Sequence, residues 1–468
     1  MKELLLEVNR NSDIPLYIQI YKQIRLKIMD GSIKAKQSLP SIRKLSEQLH
    51  VNKATLESAY GELVTEGLIE SRPRSGYFVL EVDVDFFTSK EHTQKAPLKT
   101  QEPFYPYDFH LDEIDTLNFP LSTWRKITHH VLSYEEDILY RLGDPQGELG
   151  LREEIAHYVS QTRGVNCVPN QVVVGSHSQI LLHLIGQILC LHGKTVAVGE
   201  PGYSLTTNTF EKMGCQIASV QMDKDGFKQE NLDSVHANIV FVSPSFQFPL
   251  GSMMTIQKRI ELLKWATERN AFIIEDDYLS ELRYSGDLIP SLQSLDQENR
   301  VIYMGTFHRT LLPSISIGYI ILPSNLLDAY YKNHFHFQQT TSRIEQKTLE
   351  LFMKLGHYEE HRFKMKELYR KKYIAMVNAI ETYFKQKAII LKGETGLHVT
   401  VEVITEINED ELIRRAKNAG VNFTAYRNTW YRKDLYTHTN PTFLLGFGGM
   451  TVDQINKGVD VLYQSWFN

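Results

Sequence analysis

The stretch LPSIRKLSEQLHVNKATLESAYGELVTEG, residues 39 to 67, decides the fold of the N-terminal region. Ser41 opens a short helix in which Ile42, Leu45 and Leu49 fall on one face at helical spacing. His50 and Val51 make a tight turn. Asn52 then caps a second helix whose Leu56, Ala59, Tyr60 and Leu63 face inward, and Gly67 supplies its left-handed stop. Downstream, Leu68 to Ser71 and Tyr77 to Leu80 are short β-type runs joined by Arg72-Pro-Arg-Ser-Gly76, a basic turn suited to lying along a phosphate backbone. Upstream, Tyr17, Ile20, Tyr21, Ile24 and Ile28 form the apolar stripe of a scaffold helix that ends at Asp30-Gly31.

The polar residues of this region sit where a nucleic acid is read. Asn52, Lys53 and Thr55 face outward at the start of the second helix, with Ser41, Arg43 and Lys44 on the helix before it and Arg72, Arg74 and Gly76 in the basic turn. Periodicity alone favours an ordinary solvated helical hairpin over a reader of DNA. More than periodicity is present: Pro15-Leu-Tyr-Ile-Gln19, Leu39-Pro-Ser-Ile-Arg-Lys-Leu45, Val51-Asn-Lys-Ala-Thr55, Ala59-Tyr60, Glu66-Gly67 and Ser75-Gly-Tyr-Phe-Val79 together resemble the winged helix of GntR-type bacterial regulators. The match spans residues 13 to 80 and implies binding to a double-stranded DNA operator.

With 468 residues, two or three domains are expected, and 42% hydrophobic with 23% charged content is ordinary for a globular chain. No apolar run is long enough to cross a bilayer, and the start Met1-Lys-Glu-Leu-Leu-Leu-Glu lacks a signal-peptide core, so no membrane partner and a cytoplasmic location are expected. Cys167, Cys190 and Cys215 lack metal-ligand spacing and read as buried free thiols; no metal site is expected. The net charge of -5 is unevenly spread. Residues 1 to 80 hold 12 Lys and Arg against 9 Asp and Glu, a net +3, leaving 39 against 47, or -8, for the rest. The excess lies where DNA would be, but it is modest, so affinity is expected to need a dimer placing two modules on one site.

Beyond Leu80, residues 88 to 103 are polar and proline-marked and read as a linker. The domains expected are therefore 1–80, a linker over 81–106, and 107–468 with a smaller α+β lobe from about 340 to 468. In the large part, apolar runs at Gln171 to Val174, Thr195 to Val198, Ile217 to Val220, Ile239 to Val242, Phe272 to Ile274, Val301 to Met304 and Ile317 to Leu322 alternate with helical stretches. This is the pattern of an α/β fold with a mostly parallel sheet covered on both faces. Ligands bind such sheets at the carboxyl ends of strands, so the segments after these runs should line a pocket: Gly175-Ser-His-Ser-Gln179, Gly199-Glu-Pro-Gly-Tyr203, Ser243 to Gly251, Glu275-Asp-Asp-Tyr278 and Gly305 to Thr310.

Those segments, with Gly143-Asp-Pro-Gln-Gly147, Leu151-Arg152 and Phe119-Pro followed by Trp124-Arg125, resemble the fold-type I aminotransferase-like domain of MocR regulators. In that family a GntR winged helix is fused to a domain that usually binds pyridoxal 5'-phosphate (PLP) and dimerises head to tail. The resemblance covers essentially the whole chain. It implies that Asp276 stands where a carboxylate pairs with the pyridine nitrogen, Tyr278 where a phenol lies near the ring hydroxyl, and Tyr203 where an aromatic stacks on a planar ligand; Ser176, His177 and Ser178 occupy the phosphate-binding helix start.

The chain departs from that pattern at the positions that hold the cofactor. The lysine that forms the Schiff base is replaced by Arg309, and a guanidinium with a pKa above about 12 cannot form the aldimine. The phosphate arginine is Ser316, the tyrosine that reaches the partner's phosphate is Leu142, and a phosphate-loop glycine is His177. Each missing charged hydrogen bond removes roughly 1.5 to 3 kcal/mol, so Ser316 and Leu142 together cost about two to four powers of ten in affinity. No covalent PLP is expected, and with it no transamination.

Two roles for Arg309 remain open from the residues alone: neutralising Asp276 inside the old site, or joining His177 to hold a small anionic effector. His308 reads as a packing or surface residue. Arg427 and Arg432 lie near the region where the family binds carboxylates, but residues 426 to 439 depart too far for a transfer. The reading is a homodimeric DNA-binding regulator, not an enzyme, whose large domain senses a ligand or serves as a dimerisation scaffold. The alternatives are a regulator holding PLP without a covalent bond and an aminotransferase with an appended DNA-binding module.

Overall fold

A computed structural model describes residues 6–10, 12, 14–81, 104–135, 137–223, 226–227, 229–284, 289–333, 338–391, 395–436 and 440–468. The chain divides into two compact units, Met1–Glu102 and Pro103–Asn468. Most of the expected linker, residues 82–103, lies outside the described residues.

The first unit is built on α1 (Leu16–Met29), α2 (Ile42–Leu49) and α3 (Lys53–Thr65). Each local signal acts as its chemistry dictates. Ser41 accepts a hydrogen bond from the Lys44 amide at 3.3 Å, and Asn52 accepts one from the Ala54 amide at 3.1 Å, so both helices start on a side-chain cap. His50 turns the chain with φ +52°, and Gly67, at φ +73°, follows the end of α3. Ile20, Ile24 and Ile28 of α1 pack against Leu45, Leu49, Leu56, Tyr60 and Leu63. A polar clamp backs this core: Glu66, after α3, accepts from Tyr21 and from Arg25 of α1, both at 2.6 Å.

The strands β1 (Ile69–Arg72) and β2 (Gly76–Val79) pair antiparallel, from Ile69 opposite Val79 to Arg72 opposite Gly76. The sequence reading missed a third edge. Residues 36 to 39 run alongside β2, with the Leu39 amide donating to Tyr77 O at 2.9 Å and the Val79 amide donating to Gln37 O at 3.0 Å. No periodicity marks so short a segment.

The second unit holds an eight-stranded sheet in the order β4-β11-β10-β9-β8-β5-β6-β7. Its strands are β4 (Val172–Gly175), β5 (Thr195–Glu200), β6 (Gln216–Asp223), β7 (Gly226–Phe227), β8 (Ile239–Val242), β9 (Phe272–Asp276), β10 (Val301–Thr306) and β11 (Gly318–Ile321). The block from β10 through β6 is parallel; β11 and β7 run antiparallel to their neighbours. Seven strands coincide with the apolar runs, and the eighth, β7, is two residues long. Alternation along the strands sends side chains to opposite faces. Val172, Val174 and Tyr303 pack under Ile155 and Val159 of the helix Leu149–Arg163. Val173 and Ile302 pack under Leu181 and Ile185 of the helix Ser178–Ile188.

The smaller lobe is a sheet of β12 (Ala388–Leu391), β13 (His398–Val403), β16 (Thr442–Gly446) and β15 (Thr424–Ala425), covered by the helices His357–Phe384 and Val452–Phe467. It leaves out the start of the expected 340–468 and takes in a segment from before it. The helix Arg343–Lys354 buries Leu349 and Phe352 against the large sheet instead. Conversely, β3 (Tyr107–Asp108) pairs with β14 (Val421–Asn422), and Phe109 and Ile114 enter the small lobe's core. These pairings join residues over 300 positions apart, beyond any local pattern. The thiols correct another expectation: Cys215 is buried, Cys167 is half-buried and Cys190 is exposed.

Leu63 is fully buried among the three N-terminal helices. Leu63→Ala is therefore expected to destabilise the first unit by about 2–5 kcal/mol. Hydrogen exchange of the α1 to α3 amides in the full chain measures it, with the second unit's amides unchanged.

Candidate functional site

On the first unit, Ser41, Arg43, Lys44, Asn52, Lys53, Arg72, Arg74 and Gly76 are exposed and Thr55 is half-buried. Arg74 and Gly76 have φ of +64° and +95°, which curl the basic turn tightly between β1 and β2. Two of the expected donors are engaged within the unit. Arg43 pairs with Glu47 at 3.1 Å, while Arg72 pairs with Glu70 at 2.6 Å and lies over the Phe78 ring at 4.6 Å. Both pairs are solvent-exposed and worth under about 1 kcal/mol each, so a phosphate can replace the carboxylate.

In the second unit a cavity of about 360 Å³ opens at the carboxyl ends of β5, β8, β9 and β10, within the range of small-molecule sites. Six of the nine expected pocket residues line it: His177, Ser178, Tyr203, Asp276, Tyr278 and Arg309. The other three lie elsewhere. Leu142 is 88% exposed, Ser176 is half-buried beside the rim, and the Ser316 hydroxyl donates to Ser176 O at 2.9 Å. The Ser176 amide is itself taken by Thr340 Oγ1 at 3.0 Å. Arg427 and Arg432 are also away from the cavity, each beside a carboxylate, Asp410 and Asp434.

Asp112, Gln247, Phe248, Thr306 and His398 line the cavity too. The Ser243 to Gly251 segment had marked the region of Gln247 and Phe248, and the run Gly305 to Thr310 that of Thr306. Nothing local marked Asp112 or His398, which arrive through the pairing of β3 with β14 and through β13.

Arg309 does not neutralise Asp276. Its guanidinium donates to Asp112 Oδ1 at 2.5 Å and to Leu111 O at 3.0 Å. The reason is topological: the 107–115 segment, held to the small lobe by β3, brings an acceptor pair to the rim that the sequence could not place there. Asp276 Oδ1 is left buried without a hydrogen-bond partner. Burial, then the neighbouring charges of Asp277 and Glu275, push its carboxyl up to about 8. Burial likewise raises the Tyr278 phenol well above its ordinary value, helped by Asp276.

His308, expected to pack or face solvent, lines the cavity, its ring 5.9 Å from that of His177. Burial, then the nearby Arg309 charge, lowers it to about 4, and burial lowers His398 to about 4 although its Nε2 sits 2.8 Å from Pro249 O. Both rings are neutral at pH 7. The cavity thus combines an aromatic pair, Tyr203 edge-on to Phe248 at 5.6 Å, with the polar side chains of Asp276, Thr306, His308 and His398.

Below the cavity floor, Asp277 is fully buried but satisfied, accepting from Arg163 Nε at 2.6 Å and from Tyr303 OH at 2.5 Å. Arg163 also donates to Ser245 at 2.5 Å, which ties the loop after β8 to the end of β9. Glu275 accepts from the Leu292 and Gln293 amides at 2.7 and 2.8 Å.

The residues present do not fit a covalently held PLP. Among the described residues lining the cavity there is no lysine, so no amine is at hand for an aldimine. Among the same residues Arg309 is the sole arginine, and it is already bonded. The unpaired Asp276 oxygen suits the N–H of a ring nitrogen.

A carboxyl that stays protonated in the fold while its unfolded counterpart ionises destabilises the fold above the unfolded pKa. For Asp276 the penalty grows as pH rises from 3.8 and levels off near 8, about 1.4 kcal/mol per pH unit at most. Asp276→Asn is expected to melt higher than the native chain at pH 8 and equal to it or lower at pH 4. Thermal melts across that range check the sign.

The bacterial regulatory proteins of the gntR family match residues 16–79, and aminotransferase class I and II matches residues 115–428. An uncharacterized HTH-type transcriptional regulator, YdeL of Bacillus subtilis, is 39% identical over 98% of both chains. The probable rhizopine catabolism regulatory protein MocR of Rhizobium meliloti is 29% identical over 98% of this chain and 95% of its own. The pyridoxine biosynthesis regulator PdxR of Corynebacterium glutamicum is 25% identical over 97% of each. Among solved structures, the kynurenine aminotransferase of Pyrococcus horikoshii superposes with a TM-score of 0.69 at 24% identity, covering 82% of this chain and 97% of that one. That last likeness shows the fold alone.

Proposed function

The chain belongs to the MocR-type transcriptional regulators, a GntR helix-turn-helix joined to an aminotransferase class I and II domain, and we propose that its second unit senses a small molecule without holding PLP covalently and without catalysing transamination. The observation that carries this reading is Arg309, a permanent cation at the lysine position that is bonded to Asp112 and Leu111 rather than free for chemistry. A cavity of about 360 Å³ survives beside it, which favours retained binding over a plain scaffold.

The regulator binds DNA through the first unit. In our reading α3 enters the major groove with Asn52, Lys53 and Thr55, and Arg72, Arg74 and Gly76 follow the backbone. Two copies acting as a homodimer on an operator are supported by large apolar side chains left exposed on the second unit, among them Leu117, Tyr134, Tyr140, Leu142 and Leu149.

Borohydride trapping and intact mass after addition of PLP test the sensor's chemistry. The native chain is expected to gain no adduct and Arg309→Lys to gain one; an adduct on the native chain would overturn the reading. Binding to a duplex selected from a random-sequence pool tests the DNA side. Lys53→Ala and Arg74→Ala are each expected to weaken binding and to reduce the slope of log affinity against log salt, by about one for each phosphate no longer neutralised.

A further inference from the structure

Residues 6 to 10 run as an extended strap along α1. Leu6 is buried in the core of the first unit and Val8 packs against it, while Glu7 and Asn9 are exposed, the alternation of an extended chain. Two glutamines of α1 hold the strap by its backbone. The Glu7 amide donates to Gln23 Oε1 at 3.0 Å, and Gln23 Nε2 donates back to Glu7 O at 2.5 Å. The Asn9 amide donates to Gln19 Oε1 at 2.9 Å, and Gln19 Nε2 donates back to Asn9 O at 3.0 Å. The match is geometric: two extended residues span about 6.6 Å and four helical residues about 6 Å, so side-chain amides at i and i+4 stand opposite alternate backbone groups.

The strap delivers Arg10 to the turn between α2 and α3, where its Nη2 donates to His50 O at 2.6 Å. His50 caps α2 in the left-handed region at φ +52°, a conformation that a residue with a Cβ keeps where its surroundings fix it. Asn52, two residues on, caps the start of α3. α1 and its strap therefore hold α3 at both ends. Tyr21 and Arg25 fix Glu66 at the end of the helix, and Arg10 fixes the turn before its start. A helix of 13 residues is about 20 Å long, so the Glu66 clamp constrains the start of α3 least.

We propose that Arg10 is a positioning residue for DNA reading: by holding His50 O it sets where Asn52, Lys53 and Thr55 stand, without itself neutralising a phosphate. This deepens the reading of α3 as the helix that enters the major groove, and rests on it. A guanidinium suits the task because it stays charged and its N–H donates strongly to a carbonyl. Such a contact controls the orientation of side chains that meet base edges. Its loss therefore falls on recognition of a particular sequence rather than on attraction to phosphates in general.

Binding of the full chain to the selected duplex and to a scrambled one, each across a salt series, tests the proposal. Arg10→Ala is expected to weaken the selected duplex about tenfold, the low end of what one charged hydrogen bond is worth, and the scrambled duplex far less. The slope of log affinity against log salt stays unchanged. Arg10→Lys, which keeps a donor for one carbonyl, should restore part of the preference, and Gln19→Leu, which removes no charge, should lower it. In Arg10→Ala the His50 and Val51 amides are expected to exchange hydrogen faster, with the buried amides of α1 and α3 unchanged. A slope reduced by about one makes Arg10 a phosphate contact, equal loss on both duplexes makes it a general support of the fold, and unchanged binding makes the contact idle; each overturns the proposal. Lys53→Ala beside it separates the two readings. If Lys53→Ala weakens binding and Arg10→Ala does not, this inference alone fails; if Lys53→Ala leaves binding unchanged, α3 is not the reading helix and both fail.

Discussion

Three consecutive acids, Glu275, Asp276 and Asp277, stand at the end of β9, and the cost of taking them out of water organises the site. Along a strand, neighbours point to opposite faces. Glu275 and Asp277 point one way and are compensated there, the first by the Leu292 and Gln293 amides, the second by Arg163 and Tyr303. Asp276 points the other way, into the cavity, and receives nothing. The compensation on one face is also what braces the site, because Arg163 reaches on to Ser245 and fixes the loop that carries Gln247. Rigidity beneath the floor and unmet polarity above it therefore share one origin.

The guanidinium at position 309 ties two distant segments together. A lysine side chain is shorter and ends in a single nitrogen. Arg309 is longer and forked, and it spans from the loop after β10 to the 107–115 segment, where a carbonyl and a carboxylate match its geometry. That segment is in turn bolted to the small lobe by β3 against β14 and by Lys372, which donates to Asp115 at 2.7 Å. Arg309 thus acts as a strut between the loop after β10 and a segment tied to the small lobe.

Much of this molecule was written in local chemistry. The caps Ser41 and Asn52, the left-handed stop after α3, the basic turn and seven of the eight sheet strands each announce themselves within a few residues, because capping, chain reversal and side-chain alternation are short-range effects. The strand-end rule then placed His177, Ser178, Tyr203, Asp276, Tyr278 and Arg309 around one cavity.

What the sequence alone could not decide was where each polar group would find its partner. That Arg309 turns to Asp112 rather than Asp276, that Asp276 stays unpaired, and that His308 faces the cavity depend on contacts between segments up to two hundred residues apart. Even the extent of the small lobe followed long-range pairing, with Tyr107–Asp108 entering it and Arg343–Lys354 leaving it. Residue types determined the elements and put a permanent cation at position 309, since propensity and guanidinium basicity belong to the residue. Tertiary structure decided the electrostatics of the cavity, since desolvation and hydrogen bonding belong to the surroundings.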